Sequence, residues 1–271
     1  MKTRALVFAL ALAAPILMTS CQPKKPEAKK VVTADATSAD AARIKEEIVQ
    51  IVKSLPTNTE TVNLINSTGT AYLAGFTGEN LKTENLLTRA DKAKAYGTII
   101  FDLAYTHTYN QTEQFSKLVK VYETLTRELG FEELVQSQKQ FKDRYQNNKD
   151  NKDSLDVLVS EMLKTTNDLI QKSGSSADIS LVVAGAIVKS LNVISYLTLF
   201  SPGQDKLIEV LKKQKEVMNA ACEILKKSPA DQEVAKLYAS MVPINDLFNS
   251  TEPFSAATVD KINKLTNFIS L

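Results

Sequence analysis

From Ile44 onward, the apolar residues of this chain recur every three or four positions and rarely alternate. Ile44, Ile48, Ile51, Val52 and Leu55 form one such stripe, closed by Pro56. Phe115, Leu118, Val119, Tyr122, Leu125 and Leu129 form another, closed by Gly130. A helix turns about 100° per residue, so this spacing lays the apolar side chains along one helical face; a half-buried strand would alternate instead. Only 8 Gly and 8 Pro serve 271 residues, which is sparse for a chain rich in tight turns. The fold class that follows is all-α: a bundle or array of about nine or ten helices over residues 39–271.

The stretch Ala95–Gln111, AYGTIIFDLAYTHTYNQ, is the expected centre of that domain. It is apolar enough to be buried, yet it carries Asp102, Tyr105, His107, Tyr109 and Asn110. Helical geometry puts Asp102, Tyr105 and Tyr109 on one face and His107 on the other. Gly97, one turn before Phe101, marks a place where another helix comes close, because glycine inside a helix otherwise costs about 1 kcal/mol against alanine. Two readings of the polar face stand side by side. One is a core polar patch in which Asp102 bonds a tyrosine hydroxyl, the commoner arrangement. The other is a ligand site made of Asp102, Tyr105, Tyr109 and Asn110.

Other elements follow from the same pattern. A helix is expected over Asn58–Phe76, a short helical turn over Leu81–Thr88 and the central helix over Arg89–Asn110. Thr112 is placed to cap the next helix, and Asp153 or Ser154 the one after the polar loop Gln146–Lys152. Asp178–Phe200 is apolar nearly all round, as a core helix is, and Lys189, Ser190, Asn192 and Ser195 argue against a membrane span there. Pro243 is expected to kink a late helix. Ala90-Asp91 and Gly97 are echoed by Ala177-Asp178 and Gly185, and Lys117-Leu118-Val119 by Lys206-Leu207-Ile208. Either the domain holds two related helical units or helical patterns have matched by chance.

The N-terminus has a separate character. Lys2 and Arg4 precede the uncharged run Ala5–Met18, too short for a membrane span and suited to a signal peptide over residues 1–20. Leu17-Met18-Thr19-Ser20-Cys21 resembles a bacterial lipobox. On that resemblance Cys21 becomes the mature N-terminus and carries a diacylglycerol and an N-acyl chain such as palmitate, which together anchor the chain in a membrane. Residues 21–38, rich in Pro, Lys, Ala and Thr, are expected to be a disordered tether. Gln22 follows the cysteine where Asp would retain an enterobacterial lipoprotein in the inner membrane. The expected location is therefore the outer membrane, facing the periplasm or the surface.

Composition removes several functions. With 33 basic against 31 acidic residues there is no electrostatic footprint for nucleic acid. One His and two Cys are too few for most zinc, haem or iron–sulfur sites, and no metal or cofactor is expected. Asp150–Glu161 is a failed calcium loop, with Lys152 at a ligand position and Leu155 where glycine belongs. Phosphate-binding glycine loops and hydrolase elbows are missing from the sequence. Cys222, among apolar neighbours, reads as core.

The segment GTIIFDLAYTHTYNQ, with QNNKDNKDSL and the Ala184-Gly185 helix, resembles uncharacterised all-helical lipoproteins of Bacteroidetes-type bacteria. The resemblance spans most of the mature chain. It implies an envelope lipoprotein and carries over no catalytic residue. The functional expectation is a non-enzymatic helical domain that binds an envelope protein or a small ligand. The alternative is a hydrolase-like or small-ligand-binding protein using the Asp102, Tyr105 and His107 region.

Overall fold

A computed structural model describes residues 34–148, 151–202, 204–228 and 231–269. The signal peptide, Cys21, most of the tether, Asp150 and Gly203 lie outside these residues. Among the described residues eleven α-helical segments follow in order: α1 (Ala34–Ser54), α2 (Asn58–Asn66), α3 (Arg89–Thr108), α4 (Thr112–Glu128), α5 (Glu132–Asn148), α6 (Lys152–Ser173), α7 (Ser176–Phe200), α8 (Gln204–Lys212), α9 (Gln214–Lys226), α10 (Gln232–Asn249) and α11 (Ala256–Ile269). Lys213 between α8 and α9 keeps helical angles (φ −63°, ψ −16°), so these two form one bent helix. No strand occurs among the described residues. The domain is all-α, as the stripes require.

The frame is the crossing of α3 and α7. Both begin with the same device. Thr88 Oγ1 accepts from the Asp91 backbone N–H, and Ser175 Oγ accepts from that of Asp178. Both helices are buried on nearly every side. They can be, because they meet at glycine. A Cβ on Gly97 would lie 1.9 Å from the Val182 carbonyl oxygen, and one on Gly185 would lie 2.2 Å from that of Lys94. The two backbones touch where no side chain fits between them. Helices α2 and α4 pack on α3, with α5 and α6 beyond, while α1, α9 and α11 pack on α7. The long apolar run of α7 is thus a core helix, with 89% of its most apolar window inside the fold.

Three local expectations change. Helix α2 stops at Asn66, ten residues before Phe76, because Gly69 (φ +83°) and Gly75 (φ +76°) turn the chain into a long loop, 67–88. That loop's only regular element is the single 3₁₀ turn Thr83–Asn85. Thr112 is not the cap of α4: α3 ends in a Schellman turn with Asn110 at φ +56°, Gln111 N–H returns to the Thr106 carbonyl, and Gln111 takes the cap position without a side-chain bond. Neither Asp153 nor Ser154 caps α6: Asn151 does, its Oδ1 accepting from the Ser154 N–H at 3.1 Å. In addition, α1 starts at Ala34, inside the segment assigned to the tether; the alanine-rich sequence ADATSADAAR favours helix. Helix α10 runs through Pro243 without a break.

Candidate functional site

The central polar residues divide into two groups. Asp102, Tyr105 and Tyr109 face the loop 67–88, and each is tied to it or beneath it. Asp102 is fully buried; its Oδ2 accepts from the Gly78 N–H at 2.9 Å. Its Oδ1 faces Lys189 of α7, whose Nζ stands 3.6 Å away. That is an ion pair rather than a hydrogen bond. The Lys189 ammonium also donates to the Phe76 carbonyl and lies 5.8 Å from the Phe76 ring centroid. Tyr105 OH accepts from the Leu73 N–H at 3.1 Å, and Tyr109 OH meets Thr70 Oγ1 at 3.2 Å. The rings of Tyr105 and Tyr72 stack at 5.3 Å. Asp102 makes no bond to a tyrosine; the two tyrosine hydroxyls find partners of their own.

Burial dominates the electrostatics here. It pushes the Asp102 carboxyl up to about 6, against the opposing pull of Lys189 and the Gly78 N–H. Burial likewise raises the Tyr72, Tyr105 and Tyr109 phenols. At neutral pH the group consists of an ionised carboxylate facing an ammonium, with neutral phenols around them. It is consumed in holding the loop to α3 and α7.

Asn110 and His107 lie on the other side of α3. His107 Nε2 is 3.0 Å from Asp156 Oδ1, and burial lowers the imidazole pKa while Asp156 raises it. Both residues line a recess of about 210 Å³ with Thr112, Tyr145, Lys152 and Asp156. The positive φ of Asn110 is explained by its helix-ending role. A histidine held by a carboxylate beside a recess can move a proton.

A larger cavity, of about 500 Å³, opens between the ends of α1 and α2, the middle of α6 and α7, and the start of α9. Its wall is mainly aliphatic, from Val52, Ile100, Leu163, Val182, Ile187 and Val217. The charged side chains on its lining, Lys53, Glu60, Lys164 and Asp168, are all exposed and stand at its mouth. Gln214, only 2% exposed, lines the interior. Its Nε2 donates to the Val210 carbonyl at 3.3 Å, and its Oε1 is buried with no hydrogen-bond partner. None of the candidate site residues Asp102, Tyr105, His107, Tyr109 and Asn110 lines this cavity. Its lining comes from the α1–α2 junction, Ile100 of α3, α6, α7 and the start of α9, segments far apart in the chain, and only Gln214, a polar residue at an otherwise apolar stripe position, hinted at it.

Fold and cavity together define an all-helical domain with a mainly hydrocarbon-lined internal cleft. Compared with protein-family models, curated proteins and solved structures, the chain matches none of them.

Proposed function

We propose that this chain is a lipid-anchored protein of a bacterial envelope whose helical domain binds a small, largely apolar molecule without transforming it. The observation that carries the reading is the cleft: about 500 Å³, mainly aliphatic within, with its charged side chains at the mouth. That size and lining suit a small-molecule site. Its interior brings together no nucleophile, base and orienting group. The lipobox at Cys21 supports the anchor, and the envelope is where such a molecule would be met. The test is to purify the full chain from detergent-solubilised membranes and analyse its organic extract by mass spectrometry. A near-stoichiometric apolar molecule is expected with the wild type and is lost on Val183→Trp, which fills the cleft from its half-buried wall. Equal, empty extracts from both proteins would overturn the reading.

A second reading rests on the His107–Asp156 pair at 3.0 Å beside its own recess. There His107 would act as the base of a hydrolase-like site. A substrate panel on wild type and His107→Ala separates the two: a turnover lost with the imidazole would favour this one.

A further inference from the structure

Among the buried polar residues on the cleft wall, Thr61, Ser190 and Gln214, the side-chain atom sealed without a partner is an acceptor. Gln214 Nε2 is committed to the Val210 carbonyl, so the amide is oriented and its Oε1 is the free end. Ser190, also buried on the cleft wall, spends its hydroxyl proton on the Ile187 carbonyl at 2.8 Å. Of the atoms of these two side chains, the one sealed without any partner is an acceptor, Gln214 Oε1. A buried acceptor without a donor is costly, and a ligand that supplies the donor recovers that cost. A ligand carboxylate at the same place would set oxygen lone pairs against Gln214 Oε1 and lose its hydration. The mouth does not select charge either: Lys53 and Lys164 are balanced by Glu60 and Asp168.

On the reading that the cleft is a binding site, we infer that its ligand is an uncharged, mainly hydrocarbon molecule bearing a hydroxyl or amide N–H, and that this donor is received by Gln214 Oε1. The hydrocarbon body lies along Val182, Ile187 and Val217, and Gln214 is the specificity-determining residue. A site built around a buried polar group discriminates sharply against an analogue that cannot pair with it.

The probes are 1-decanol and decanoate, equal in chain length and opposite in head-group chemistry, titrated at pH 8 into the purified full chain. Binding is read by calorimetry and located by methyl resonances of Val182 and Ile187. Wild type is expected to bind 1-decanol at least about tenfold more tightly than decanoate. Gln214→Leu should remove most of that preference, by weakening 1-decanol about tenfold and leaving decanoate unchanged or improved. Gln214→Met serves as the check should the leucine variant fail to fold. Decanoate binding as tightly as 1-decanol, or a preference indifferent to residue 214, would overturn the ligand class while leaving the cleft as a site. Failure of both probes to shift the cleft methyls would overturn the inference, and it would count against the cleft itself if the organic extract is also empty.

Discussion

Gly97 of α3 and Gly185 of α7 stand in a reciprocal relation. Each sits against the backbone of the other's helix, and each meets the residue three positions before its counterpart: Gly97 meets Val182, and Gly185 meets Lys94. This is the contact pattern of two helices related by a local twofold axis. Gly97→Ala and Gly185→Ala should therefore each destabilise at the upper end of the roughly 1–3 kcal/mol typical of overpacking, or beyond, since backbone and not a flexible side chain is in the way. The double variant should cost less than the sum, because one forced separation relieves both clashes. Chemical denaturation of the three variants checks this.

The same crossing brings Asp102 to Lys189. Asp102→Ala leaves a buried ammonium facing an empty site, and at pH 7 it should cost about 3–5 kcal/mol. Adding Lys189→Met should restore most of the loss, because an apolar pair replaces an orphaned charge. Urea unfolding of the single and double variants decides it.

Titration offers an independent check on that carboxyl. Its folded pKa of about 6 lies above the 3.8 of a free aspartyl carboxyl. The native state therefore holds the proton more tightly than the unfolded chain between those values. Stability from this group is full below pH about 4 and falls as pH rises through about 6. Asp102→Asn removes the titration. Wild type minus variant stability should drop by roughly 2 kcal/mol from pH 4 to pH 7, and a flat difference would contradict the assignment. Comparison with the variant cancels the opposite trends of Asp91 and Asp178, whose pKa values are lowered. Lys189, Glu79 and the Tyr72 and Tyr105 phenols face the same space and are common to both proteins.

Tyr105 and Tyr109 hold the loop 67–88 through the Leu73 N–H and the Thr70 hydroxyl. Tyr105→Phe keeps the ring stack with Tyr72 and orphans one backbone N–H, at a cost of about 1–3 kcal/mol. Amide exchange should accelerate at Leu73 and its neighbours while the α3–α7 core keeps its protection. Uniform acceleration across the core would show the tyrosine to be global rather than local in effect.

Much of the architecture could be read from residue spacing. The stripes located most helices, Gly97 announced a close crossing, Gly130 ended α4 at φ +71°, and Cys222 lies in the core with its thiol pushed up to about 11 by burial. The failures were of two kinds. Turn chemistry defeated α2, where Gly69 and Gly75 outweigh the apolar residues between them, and the caps at Gln111 and Asn151. Partnerships across the chain were invisible. Lys189 read as a reason against a membrane span, yet it sits fourteen residues beyond its helix cap, as Asp102 does beyond its own. The cleft, assembled from six helices, had no local sign beyond the polar Gln214 on an apolar stripe.

Lipidation is tested at Cys21. Labelled palmitate should enter the wild-type chain expressed in a Gram-negative host and not the Cys21→Ala variant, which should accumulate unprocessed in the membrane fraction. Equal labelling of both would place the lipid elsewhere or nowhere.

The most direct test of the account is where a ligand binds. Methyl-labelled full chain, titrated with a neutral-lipid extract of bacterial envelopes, reports every apolar wall at once. The account predicts shifts confined to the cleft, at Val52, Leu163, Val182, Ile187 and Val217, with Leu73 and Leu103 beside the Tyr105 group unmoved. Shifts centred on Leu73 and Leu103, with the cleft silent, would contradict it and make Asp102, Tyr105 and Tyr109 the binding site.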